Sequence, residues 1–221
     1  MIKKQIYFMP GLGANSKIFE HISLSKDRFD IHLLEWKIPV SKDESIQDYA
    51  QRMAEEIKHQ NPVLLGVSFG GVLVQEIAKI IAVEKVILVS SIKSHHEFPN
   101  RLKLLQKTKG YKFFPTKIIE NFEKYKKYFL GDFLRKRADL YTNYLSVNDT
   151  RYLKWALHSL LHWQQEKAPK NIVHIHGDND HIFPSKHIKN FIKINDGTHA
   201  MILLKAKEIS EIIISDFNKF H

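Results

Sequence analysis

Short apolar runs rich in β-branched residues alternate along the chain with segments whose apolar positions recur at helical spacing. Residues 5–9, 31–36, 63–67, 86–90, 172–175 and 191–194 read as six strands. Most are apolar at consecutive rather than alternate positions, as strands covered on both faces are. The pattern predicts an α/β protein with a mainly parallel sheet flanked by helices. Between strands, residues 45–59 place Ile46, Tyr49, Met53 and Ile57 on one helical stripe, with Ser45 in position to cap the helix N-terminus. At the C-terminal end Ile209, Ile212, Ile213, Phe217 and Phe220 repeat that spacing, so the last helix is expected to close the core.

The alternation breaks between about Ile92 and Lys167, where the sequence turns Lys-, Tyr- and Phe-rich, keeps helical spacing and offers no convincing strand. The expected organisation is an α/β core from residues 1–91 and 168–221, carrying a helical cap insertion at 92–167. Phe113, Phe114, Phe122, Tyr125, Tyr128 and Phe129 would supply apolar cover for the strand ends. A chain of 221 residues suits one domain with such an insertion.

Composition narrows the function classes. The chain is 43% hydrophobic and 26% charged, ordinary for a soluble globular protein, and no apolar run reaches the roughly 20 residues of a membrane-spanning helix. Apolar residues 6–9 follow Lys3 and Lys4 but stop at Pro10-Gly11, too short for the core of a secretory signal, so a cytoplasmic protein is expected. The absence of cysteine excludes disulfides, a thiolate nucleophile and thiolate metal ligands. The formal charge of +10 is concentrated: residues 101–137 hold twelve Lys or Arg against three acidic residues. Such a segment reads as a solvated helical face, and it would also suit an anionic partner. No nucleic-acid-binding motif accompanies it.

The chemistry begins directly after the third strand. Gly66-Val67-Ser68-Phe69-Gly70 is a G-x-S-x-G between a strand and an apolar helical run at 72–81. Side chains two residues either side of the serine would collide in so sharp a turn, which explains the glycines. The turn exposes the hydroxyl at a helix N-terminus, where free N–H groups favour the negative charge of a tetrahedral acyl intermediate. A serine hydroxyl also needs a base, and the base a group that fixes its tautomer. Asp178 and Asp180 follow the fifth strand and His199 follows the sixth, both at strand C-terminal ends, where open α/β sheets build their sites.

On these residues the chain resembles the α/β-hydrolase superfamily, over nearly its whole length, in the branch with a helical cap inserted after the strand that follows the elbow helix. In that family the acid sits in a Gly-x-x-Asp-x-x-x-Pro pattern, which falls on Gly177, Asp180 and Pro184, so the resemblance selects Asp180 over Asp178. It implies a triad of Ser68, Asp180 and His199, with an oxyanion hole from the backbone N–H groups of Leu12 and Phe69. The family commonly has His-Gly where this chain has Pro10-Gly11, but only backbone is required there. Its usual first two strands are absent, which makes this a compact version. The implied activity is a serine hydrolase acting on a small-molecule ester or thioester through an acyl-enzyme, with no metal or organic cofactor. Lactonase, C–C hydrolase and perhydrolase chemistry stay open. A serine nucleophile argues against the dehalogenase and epoxide-hydrolase relatives, which use Asp there.

Two other readings compete. His174, His176, Asp178, Asp180 and His181 resemble a metal-ligand run close to that of metallo-β-lactamase-like hydrolases, but the run lies too near the C-terminus to leave room for that fold's second half. A non-catalytic binding protein on the same fold is the second alternative.

Overall fold

A computed structural model describes residues 3–109 and 143–218. Its centre is a six-stranded, all-parallel sheet in the order β2-β1-β3-β4-β5-β6, formed by β1 (Lys4–Met9), β2 (Phe29–Leu33), β3 (Val63–Val67), β4 (Lys85–Val89), β5 (Ile172–Gly177) and β6 (Ile192–Ile194). Every residue of β3 and β4 is buried, as consecutive apolar positions require of strands covered on both faces.

Alternate side chains feed two cores. Tyr7, Met9, Leu64, Val86 and Leu88 pack with α1 (Ile46–Ala54), α2 (Phe69–Ile77) and α4 (Thr150–His162). Ile6, Phe8, Leu65, Ile87 and Val89 pack with α6 (Ala206–Asn218) and the short α5 (Met201–Leu204). Two further elements, a 3₁₀ turn at His95–Glu97 and α3 (Asn100–Lys107), follow β4. Full burial of a Val, Leu or Ile side chain contributes about 1.5–3 kcal/mol, so these two layers supply most of the driving force for folding. Among the described residues no helix is long and apolar enough to cross a membrane.

The predicted strands are all present, with boundaries set by tertiary contacts. The second ends at Leu33 rather than Trp36, because the chain turns inward there and the Trp36 indole Nε1 donates to the Gly11 carbonyl at 2.9 Å. Ser45 does cap α1, its hydroxyl accepting from Asp48 N–H at 3.0 Å. That helix stops at Ala54 rather than His59, since the following residues bend to meet the Tyr7 hydroxyl, which accepts from Lys58 N–H at 3.1 Å and lies 2.7 Å from His59 Nδ1. The elbow helix starts at Phe69 itself and ends at Ile77, short of the expected 81. Phe220 and the aromatic residues expected to roof the site, Phe113 to Phe129, lie outside the described residues.

Strand order positions the site. From β1 the chain moves outward to β2, then crosses back to β3 on the other side of β1. The connections therefore diverge between β1 and β3, opening a crevice at their C-terminal ends. Ser68 follows β3 directly, and the loop after β1 lies beside it.

Candidate active site

Ser68 sits at the tip of the turn between β3 and α2 with φ 52° and ψ −119°, a backbone conformation that L side chains rarely adopt. Surrounding bonds hold it there. Ser68 N–H donates to Val89 O at 3.0 Å, and its carbonyl accepts from Ser91 Oγ at 2.7 Å and Gly71 N–H at 2.9 Å. The close approach explains the flanking glycines. A Cβ on Gly66 would lie 2.6 Å from the Gly71 Cα, and one on Gly70 would strike the backbone carbonyls of Pro10 and Met9.

His199 Nε2 lies 2.9 Å from Ser68 Oγ, and its Nδ1 lies 2.8 Å from Asp180 Oδ2. An ionised carboxylate only accepts hydrogen bonds, so Nδ1 carries the proton and Nε2 presents a lone pair to the serine hydroxyl. In this arrangement the imidazole can take the hydroxyl proton while the carboxylate balances the resulting charge. The Asp180 side chain is fully buried, and its other oxygen accepts from Ile182 N–H at 2.8 Å and Phe183 N–H at 2.9 Å. Burial alone would raise its pKa. The charge and hydrogen bond of His199, together with His176 and the Phe183 N–H, outweigh burial and hold the carboxyl below the ordinary carboxylate value.

The loop after β1 completes the crevice. A Cβ on Gly11 would stand 3.5 Å from the Ser68 Cβ, which places the Pro10-Gly11-Leu12 backbone against the serine. Phe69 opens α2, so its N–H belongs to the first turn, whose N–H groups have no intrahelical acceptor. Leu12 N–H donates to no protein group among the described residues. Both N–H groups predicted to line an oxyanion hole thus belong to segments that meet at Ser68.

Several supporting residues escaped the sequence reading. The Trp36 ring stacks on Phe69 at 5.2 Å with planes 8° apart, while its indole N–H holds the Gly11 carbonyl. Gly13 N–H donates to the Tyr152 hydroxyl at 3.3 Å, so α4 grips the far end of the same loop. Arg101 of α3 donates to the carbonyls of His181 and Ile182, bracing the loop that carries Asp180. One signal was position: Ser91 lies just past the C-terminal end of the strand read at 86–90, on the edge where Ser68 sits. The bond to Tyr152 spans 139 residues and leaves no local trace.

The histidine-aspartate run on β5 does not converge on one point. Asp178 faces Lys193 at 3.6 Å, Asp180 faces His199, and His176 Nε2 donates to Phe183 O at 2.8 Å. His174 and His176 are buried behind the acid loop. Burial, with His176 and Lys93 nearby, pushes His174 well below its ordinary value, the Ser91 backbone opposing. Burial also lowers His176, with Asp180 and the Phe183 carbonyl opposing. Both imidazoles therefore take up a proton less readily in the folded protein than in the unfolded chain, which protonates them below about pH 6.5. Above that pH neither state holds the extra proton. Below it the unfolded chain gains protons that the fold binds less readily, and stability falls by up to about 1.4 kcal/mol per pH unit per group. His174→Phe is expected to flatten the fall of the urea midpoint between about pH 6.5 and pH 5. An unchanged slope would show that His174 takes no part.

Comparison with known proteins places the architecture. No protein-family model matches the sequence, and no curated protein matches it. Solved structures do. A bromoperoxidase from Bacillus anthracis superposes with a TM-score of 0.69 at 16% identity, covering 98% of this chain and 92% of its own. A thermophilic esterase from Thermogutta terrifontis gives 0.69 at 14%, with 99% and 90% covered. The enol-lactonase of Burkholderia xenovorans LB400 gives 0.69 at 12%, with 99% and 92% covered. The chain has the α/β-hydrolase fold.

Proposed function

We propose that this protein is a serine hydrolase that cleaves a carboxylic ester or thioester through an acyl-enzyme on Ser68. The observation that carries the reading is the continuous relay from Ser68 Oγ to His199 Nε2 at 2.9 Å and from His199 Nδ1 to Asp180 at 2.8 Å, built on a strained strand-to-helix turn. Ser68 Oγ attacks the carbonyl carbon as His199 takes its proton. The carbonyl oxygen becomes an oxyanion that receives hydrogen bonds from Leu12 and Phe69 N–H, each such donor lowering the barrier by about 2.7–4 kcal/mol. His199 returns the proton to the departing alcohol or thiol. Water, deprotonated by the same imidazole, then attacks the acyl-enzyme and frees Ser68.

Residues 92–167 act in this reading as the cap that selects the acyl group. The twelve basic residues between positions 101 and 137 favour an anionic leaving group. An esterase and a lactonase with the same fold both cleave ester bonds, which supports the reaction class.

The test is covalent labelling by a fluorophosphonate probe, read by intact mass. Wild type is expected to gain one probe mass and Ser68→Ala none. A folded wild type that stays unlabelled, or a Ser68→Ala variant that labels equally, would overturn the assignment of the nucleophile and favour a binding role.

A further inference from the structure

A second cluster of chemically competent side chains lies away from Ser68, where residues 92–167 leave the core and return to it. His95 and His96 stand on the 3₁₀ turn after β4, and Glu166 lies on the returning chain beyond α4. The two imidazole rings have centroids 4.0 Å apart. The Glu166 carboxylate faces both: Oε2 is 2.8 Å from His96 Nε2, and Oε1 is 3.5 Å from His95 Nε2. One ligand atom from each of the three residues lies within 4.8 Å of the others.

The backbone beneath them is fixed. His95 N–H donates to Gln165 O at 3.0 Å, and its Nδ1 donates to the same carbonyl at 3.0 Å. That second bond places a proton on Nδ1, so Nε2 is the nitrogen that faces Glu166 and that a metal would take once Nε2 carries no proton, the orientation that metal-bound histidines obtain from a carbonyl partner. Gln165 is buried, its amide donating to Gln75 Oε1 and Lys93 O, both at 2.8 Å. Glu97, in the same turn, accepts from Lys93 N–H at 2.7 Å and Lys189 N–H at 3.1 Å. The three donors thus project from a braced support on which little order remains to be imposed.

We propose that His95, His96 and Glu166 form a binding site for a divalent first-row transition ion of the zinc class, which fastens the outgoing and returning chains of the 92–167 segment together. Two imidazole nitrogens and one carboxylate oxygen are a donor set suited to Zn²⁺, with a fourth, solvent-facing position for water. The ion takes the place of the hydrogen between His96 Nε2 and Glu166, so His96 binds as the neutral imidazole. In a chain of net charge +10 a cation is repelled at long range, so retention here depends on these local donors. The site is independent of the chemistry assigned to Ser68.

Titration of the full chain with ZnCl₂, read by calorimetry and by thermal unfolding, tests the proposal. One ion per chain is expected to bind at micromolar concentration and to raise the unfolding temperature by about 5 °C at a hundredfold excess over Kd. His96→Ala and Glu166→Gln are each expected to weaken binding at least about tenfold. Both side chains are exposed, so these variants should unfold at the wild-type temperature without metal. His158 and His162, stacked one turn apart on α4 with ring centroids at 4.2 Å, are the rival chelating pair, and their double alanine variant should bind as wild type does. Binding that survives both His96→Ala and Glu166→Gln, binding lost with the His158 and His162 pair, or no saturable binding up to about 100 μM would each overturn the proposal.

Discussion

Asp180→Asn is expected to lower kcat for ester hydrolysis by three to four orders of magnitude, roughly, while the fold survives. The amide oxygen can keep the two hydrogen bonds that Asp180 Oδ1 accepts from Ile182 and Phe183 N–H. The change falls on the other side, where an NH₂ group replaces the oxygen 2.8 Å from His199 Nδ1. That group donates, so Nδ1 must accept, and the imidazole proton moves to Nε2. There it faces Ser68 Oγ, and the ring can no longer take the hydroxyl proton. Steady-state turnover of an activated ester, beside a thermal melt of the same sample, checks this. Turnover within about tenfold of wild type would remove Asp180 from the proposed mechanism and turn attention to Asp178.

The second large effect is structural. Gly70→Ala is expected to cost about 3 kcal/mol, because the new methyl meets the carbonyls of Met9 and Pro10, and backbone atoms cannot swing aside as a long side chain can. The disturbance is passed to the loop that carries Leu12 N–H, so activity should fall in whatever fraction stays folded. Gly11→Ala is the matched control. Its Cβ would meet Ser68 Cβ and Val67 O at 3.5 Å, ordinary contact, and its cost should stay below about 1 kcal/mol. Urea midpoints of the two variants, measured side by side, give the comparison. Equal losses would mean that crowding at Gly70 is relieved by a shift of the loop.

How far the sequence carries this structure depends on the range of each interaction. Runs such as Val63–Val67 and Lys85–Val89 announce buried strands because both their faces are apolar, a local property. The elbow is legible for the same reason: a strand, two glycines, a serine and an apolar helix stand within a few residues of one another. Asp180 and His199 fall at strand ends, and strand ends can be counted. The choice of Asp180 over Asp178 came from family resemblance rather than from spacing. What could not be read is long-range. Nothing near Trp36 signals that it leaves its strand to stack on Phe69, and nothing near Tyr152 signals a hydroxyl committed to Gly13. The premature end of α1 likewise reflects a tyrosine from β1, not a helix-breaking residue.

The tie between Tyr152 and Gly13 has a mechanical consequence. One end of the Gly11–Gly13 backbone hangs from Trp36 and the other from α4, a helix within the 92–167 segment. Tyr152 is fully buried, so it has no slack through which α4 could shift and leave the loop unmoved. Displacement of that helix is therefore transmitted to the N–H of Leu12, between the two anchors. Under the proposed mechanism, a molecule that fits the cleft poorly and wedges the helix outward would still bind, but it would meet a detuned oxyanion hole and react slowly. On that reading, discrimination between substrates would be exercised through kcat, with KM little altered.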